Sequence, residues 1–206
     1  QTYAGLNPKG TRIIFPAGFN GTVSNMLFEG EVVVEAGANV TFDNVTFYKG
    51  LDNRGTSTVK NSTVVQTDLT TTNNGDLTIE NTRFQNSDNT AGVVLPSNKI
   101  RPAKVGEAYN EPITIPWATS SKGFDTFTVN KLPAGLTLSP MENDAAARKS
   151  TATISGTPTA ASNGYTRVTI KNSTLYDFTI PMKMSVQKGT VAVPTATNYT
   201  YNGHLR

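Results

Sequence analysis

Three ionisable residues recur at matched places in the first half of the chain. Asp43, Lys60 and Glu80 each stand immediately before an asparagine in a repeated six-residue segment. Asp52 and Asp88 add acids to the same region, and Lys49, Arg54 and Arg83 add bases. Carboxylates set beside a base are the raw material of general acid–base chemistry. The order acid, base, acid also suits cross-strand ion pairing on a solvated face. The second reading is preferred and the catalytic one is its alternative. The chain has no Cys, which excludes disulfides, thiolate metal sites and thiol nucleophiles. Its one His, His204, sits in the C-terminal tail, where an exposed tail residue is a simpler reading than a triad member. Trp117, the one Trp, is a candidate for stacking on a sugar, with a buried core position as the commoner fate.

The repeated segments are VSNMLF (Val23 to Phe28), FDNVTF (Phe42 to Phe47), VKNSTV (Val59 to Val64) and IENTRF (Ile79 to Phe84). Their asparagines, Asn25, Asn44, Asn61 and Asn81, are spaced by 19, 17 and 20 residues. A period this short suits one coil of a β-solenoid, each coil holding about three short strands. Val23, Phe42, Val59 and Ile79 are predicted to stack in one core row, and Phe28, Phe47, Val64 and Phe84 in a second. Asn tolerates left-handed backbone and suits a bend. Phe42 and Asn44 lie two apart, which places them on one face of an extended chain. The four asparagines are therefore predicted to point inward and satisfy one another. The same expectation argues against glycans at the sequons of Asn44 and Asn61, among those at Asn20, Asn39, Asn172 and Asn198. Ala36-Gly37, Arg54-Gly55 and Asn74-Gly75 mark a second corner. Residues 1 to 20 are expected to cover one end of the stack and Gly92 to Leu95 to finish the other. An ordinary antiparallel sandwich is the alternative for this half.

On these segments the first half resembles the right-handed parallel β-helix of the pectin-lyase-like superfamily. That resemblance implies relatives that bind sugars along the outer face of the coils and include lyases and hydrolases. It makes Asp43, Lys60 and Glu80 candidate ligand-binding residues in one outward column.

Pro96-Ser-Asn98 and Pro102 are read as a hinge into a second domain. Beyond them, short alternating stretches at turn-punctuated spacing predict an all-β sandwich. Leu132-Pro-Ala-Gly-Leu-Thr-Leu-Ser139 followed by Ala152-Thr-Ile-Ser-Gly-Thr-Pro-Thr159 is similar to the Ig-like (cadherin-like) repeats of bacterial surface proteins. Such repeats sometimes hold calcium between domains; Glu107, Glu111 and Asp177 are the acids here, without the usual Asp-rich run. Some also carry Lys–Asn isopeptide bonds, for which spacing picks no pair. Ala145 to Ala147 are expected to form a helical turn. Residues 189–206 resemble the opening of another repeat, so the chain is expected to be a fragment of a longer polypeptide.

The resulting expectation is an all-β chain. A parallel β-helix (1–97) precedes an Ig-like antiparallel β-sandwich (98–188), followed by a linker or the start of a further repeat (189–206). Charged residues make up only 16% of the chain, against about 25% in an average soluble domain, and Lys and Arg are scattered along it. That scatter speaks against nucleic acid as a partner. No stretch approaches the length of a transmembrane helix. The expected function is a non-enzymatic extracellular module of a bacterial cell-surface protein, in adhesion or as a stalk. No cofactor or metal is expected. Glycans of a host or cell wall, or surface proteins, are the expected partners. The alternative is a carbohydrate-binding or polysaccharide-degrading module.

Overall fold

A computed structural model describes residues 5–6, 11–66, 72–87, 92–118, 124, 126–171, 177–191 and 195. The fold is all-β, with no helix among the described residues. Asp88, His204 and most of the predicted tail lie outside them.

The first half is a solenoid of about three turns. Its strands are β1 (Gly5–Leu6), β2 (Ile13–Phe15), β3 (Asn20–Phe28), β4 (Val32–Val34), β5 (Asn39–Phe47) and β6 (Leu51–Asn53). They continue as β7 (Thr56–Lys60), β8 (Thr63–Gln66), β9 (Thr72–Asn73), β10 (Asp76–Asn86) and β11 (Gly92–Ser97). Short strands β2, β4, β6 and β9 stack in parallel as one sheet. Long strands β3, β5, β7 with β8, and β10 stack in parallel as the other. Both predicted rows are in register and buried: Val23, Phe42, Val59 and Ile79, then Phe28, Phe47, Val64 and Phe84. Within them, Phe28 stacks on Phe47 at 5.7 Å, and Phe42 meets Phe47 edge-on at 5.0 Å. Burial of each such side chain is worth roughly 1.5–3 kcal/mol. As expected, Gly92 to Leu95 finish the stack: β11 runs antiparallel to β10 and ends the parallel series.

All four segment asparagines adopt left-handed backbone, with φ of 55°, 56°, 52° and 41° in chain order. The bend is as predicted; its sense is not. A left-handed residue interrupts the two-residue alternation, so Phe42 points in, Asp43 and Asn44 point out, and Val45 points in again. The four asparagines are exposed on the outer surface. The inward place after each bend goes to the next residue, including Ser62 and Thr82, both buried. Ser62 Oγ accepts from Val45 N–H (3.0 Å) and donates to Lys60 O (2.7 Å).

A buried amide lies at the second corner. Asn53 is fully buried and follows Val34 in the stack, ahead of Asn73. Its Nδ2 donates to Asn73 Oδ1 (2.9 Å) and Asp76 O (3.0 Å), while its Oδ1 accepts from Ser57 (2.7 Å). Gly55 and Gly75 follow two residues after these asparagines, where coils touch backbone to backbone. A Cβ on Gly55 would lie 2.6 Å from Ala38 O and closer still to Glu35 O; one on Gly75 would collide with Gly55 O.

The second half contains β12 (Ala103–Lys104), β13 (Tyr109–Pro116), β14 (Thr126–Asn130), β15 (Leu136–Leu138), β16 (Glu142–Asp144), β17 (Lys149–Gly156), β18 (Ser162–Lys171) and β19 (Asp177–Gln187). One sheet runs β12-β19-β18-β14 and the other β13-β17-β15, with β16 also on β17. Ile113, Ile115, Ala152 and Ile154 from one sheet share a core with Val168, Ile170, Phe178, Ile180 and Met182 from the other. Pro112 and Pro116 fall on β13, an edge strand, where a missing N–H costs no ladder bond. The two sequence motifs meet each other. Leu136 pairs with Gly156, and a Cβ on either Gly135 or Gly156 would strike backbone of the opposite segment. The expected helical turn at Ala145 to Ala147 is instead the reversal of the β16–β17 hairpin. Asp144 Oδ1 accepts from Ala147 N–H (2.9 Å), and Arg148 takes φ 53°.

Gly55→Ala and Gly75→Ala should each destabilise the protein by about 1–3 kcal/mol, because backbone must move to admit the methyl group. Gly21→Ala, whose new methyl would meet only the Phe19 ring at an ordinary 3.4 Å, should stay within about 0.5 kcal/mol of the parent. Urea unfolding midpoints at constant slope separate the two outcomes.

Candidate functional site

The predicted column forms on the outer face of the long strands. Register places Ser24, Asp43, Lys60 and Glu80 on successive rungs. Lys60 Nζ lies 3.7 Å from Asp43 Oδ2, both side chains about one-third exposed. Asp43 and Glu80 are two rungs apart, or roughly 10 Å at ordinary strand spacing. Beside them runs the amide ridge: Asn44 Nδ2 donates to Asn25 Oδ1 (2.7 Å) and Asn81 Nδ2 to Asn61 Oδ1 (3.0 Å). Asn61 Nδ2 turns to Asp43 Oδ1 (3.0 Å) rather than to Asn44, so the predicted ladder is interrupted by a carboxylate. Sequence reasoning thus brought Asp43 and Lys60 together correctly and placed Glu80 in their column. The ridge presents fixed donors and acceptors to solvent, and an exposed ion pair of this kind is worth little to stability.

Trp117 is corrected as a ligand-binding candidate. It is only 6% exposed, its Nε1–H donates to Ser150 Oγ (2.8 Å), and its ring meets Phe124 edge-on at 6.5 Å. Ser150 Oγ in turn donates to Asn143 Oδ1 (2.6 Å). A ring so enclosed offers no face to a sugar. Glu107 and Glu111, considered above for calcium, are paired with Lys104 (2.7 Å) and Arg101 (2.8 Å).

A second polar cluster, which sequence reasoning missed, joins the two halves. The predicted hinge at Asn98 is a buried seam. Asn98 is fully buried and every polar group it owns is used. Its Oδ1 accepts from Ile79 N–H (2.9 Å), and its Nδ2 donates to Leu77 O (2.9 Å) and Pro181 O (3.2 Å). Its backbone N–H donates to Ile79 O (3.1 Å) and its C=O accepts from Lys183 N–H (2.7 Å). The side-chain amide thereby stands in for a peptide group along the part of β10 that β11 does not reach. Tyr165 Oη completes the edge, accepting from Leu77 N–H (2.6 Å) and donating toward Asp76 Oδ1 (3.2 Å). Lys183 Nζ bonds Asp76 Oδ1 (2.5 Å) and Thr78 Oγ1 (2.8 Å). Tyr165 and Lys183 lie 88 to 107 residues from these partners, too far for any local pattern to announce them. A short-range signal did exist for Asn53 and Asn73: each sits two residues before a corner glycine.

The hydrogen bond from Lys183 holds the Asp76 carboxyl below its ordinary range, and burial pushes the Tyr165 phenol above its own. Beside this cluster opens a cleft of about 460 Å³, lined by Asp76, Lys99, Tyr165 and Lys183 among others. A second, of about 260 Å³, lies against Asn73, Lys131, Tyr165 and Arg167.

Asn98→Ala should cost at least about 2 kcal/mol by stranding Ile79 N–H and Leu77 O. It should also divide a single unfolding transition into two, read by calorimetry. A depressed folded-state pKa at Asp76 contributes stability that is present above the unfolded pKa and lost as pH falls through the folded value. Asp76→Asn should therefore flatten the acid limb of the stability–pH curve by less than about 1 kcal/mol, since the carboxylate is 61% exposed. Urea titrations between neutral pH and acid measure it.

No protein-family description, curated protein or solved structure matches this chain.

Proposed function

We propose that this chain is a non-enzymatic extracellular module of a bacterial cell-surface protein, a short pectin-lyase-like β-helix seated on an Ig-like stalk domain and serving adhesion or surface architecture. The observation that carries this reading is the seam. A spacer must hold its two parts in fixed relation, and here the linking residue, Asn98, is buried and bonded to both halves. The Leu132-to-Ser139 and Ala152-to-Thr159 motifs, packed against each other through Gly135 and Gly156, support the Ig-like assignment. A fold held without disulfides leaves the burden of rigidity to such packing.

A second reading rests on the exposed ridge. Amides and the Asp43–Lys60 pair at regular rung spacing present an array able to hydrogen-bond the hydroxyls of a glycan on the coil face. Under it, Asp43, Lys60 and Glu80 bind or cleave sugar polymers.

Protease shaving of intact cells of the source organism should release peptides of this chain without lysis. The purified protein should release no unsaturated or reducing ends from uronic-acid polymers. Turnover that Asp43→Asn with Glu80→Gln abolishes would overturn the non-enzymatic reading in favour of the second. Retention of the chain inside shaved cells would overturn the surface assignment.

A further inference from the structure

The two clefts at the seam share Tyr165 as a wall. A third, of about 160 Å³, runs between them along Lys131, Gly164, Tyr165 and Met184. All three are lined by Tyr165 and adjoin there as a groove. It crosses the outward face of β18 and β19, where Tyr165 pairs with Lys183 and Arg167 with Pro181. Lys99, Lys131, Arg167 and Lys183 line it, against a single carboxylate, Asp76. With these five residues set aside, the formal charges of the rest of the chain cancel, since the whole carries +3. The basic residues are scattered in sequence, and folding gathers four of them here.

The internal bonds of the groove leave that charge available. Asp76 is occupied by Lys183 and Tyr165, and the Tyr165 hydroxyl by Leu77. Among the described residues, Lys99, Lys131 and Arg167 form no ion pair, and all three are exposed. Lys131 is held at φ 60°, a left-handed position that Asn or Gly fills at less cost. Asn74, Asn163, Thr179 and Ser185 set hydroxyls and amides among the cations.

We infer that this groove binds an acidic glycan, a sugar chain bearing carboxylates or sulfates, along the seam between the two halves. Cations distributed over three adjoining clefts fit a chain carrying repeated negative charge better than a single ion. Interspersed hydroxyls and amides match sugar hydroxyls. Strand addition by a peptide is unavailable on this face, because β18 and β19 are both interior to their sheet. Single-stranded nucleic acid calls for several open stacking rings, and the groove has only the half-buried Tyr165. The inference extends the surface-module reading by giving it a ligand, and it holds or fails independently of cellular location.

The test uses the full chain and fluorescence anisotropy at low ionic strength. The probes are an oligogalacturonate, a heparin-derived sulfated oligosaccharide, a neutral cello-oligosaccharide and a single-stranded DNA of similar length. At least one acidic glycan should bind and weaken as salt rises, while the neutral probe does not bind. Lys131→Gln with Arg167→Gln should lower that affinity by about tenfold or more. Lys104→Gln with Lys149→Gln, the same charge change placed elsewhere, should alter it by less than about twofold. Binding by neither acidic glycan, equal losses in the two double variants, or DNA binding as tight and as sensitive to Lys131 and Arg167 would each overturn the assignment. Unchanged urea midpoints in both double variants establish that the fold is intact.

Discussion

A stack of parallel strands always ends on a row of backbone groups with nothing above it, and this constraint governs the molecule. Inside the solenoid each coil satisfies the one before it, and the two buried apolar rows are the counterpart of that pairing. At β10 the series must stop. The chain reverses, and β11 covers Glu80 to Gln85 in antiparallel register. The remainder of the edge, around Leu77 and Ile79, is finished by side chains: the Asn98 amide and the Tyr165 hydroxyl. The second half thus completes the hydrogen bonding of the first, and the seam is part of the sheet edge rather than a docking of two finished surfaces.

Close backbone approach is the second recurring device. Gly55 and Gly75 let successive coils touch at one corner, and Gly135 and Gly156 let two strands of the sandwich meet. In both halves the glycine is fixed by a neighbouring carbonyl where a side chain would stand. The turn motif of the second half therefore encodes one contact written in two distant places.

Spacing made the solenoid rows legible, because stacking converts a sequence period directly into a spatial register. It also placed Asp43, Lys60 and Glu80 in one column. What spacing could not supply was the sense in which Asn44 and its counterparts point. A period-two argument assumes extended backbone throughout, and a left-handed residue cancels that assumption at the very position it was applied. Asn98 was misread for a related reason. Flanking prolines suggested a hinge, whereas the bonds that bury it come from residues on both sides of the chain. The basic groove was invisible because its four cations are dispersed along the chain from Lys99 to Lys183 and meet only through the register of β18 on β19 and the seam.

The geometry of the seam also bears on how such a protein varies in length. Among the described residues, the bonds across it from the solenoid come from the last coil and its cap, between Asn73 and Asn98. Coils nearer β3 contribute none of these bonds. A whole coil inserted or deleted there leaves the terminal platform as it is and moves the far end by one rung, about 4.8 Å. The molecule is in this sense a ruler with one fixed end, whose graduations can be added or removed without resetting the zero.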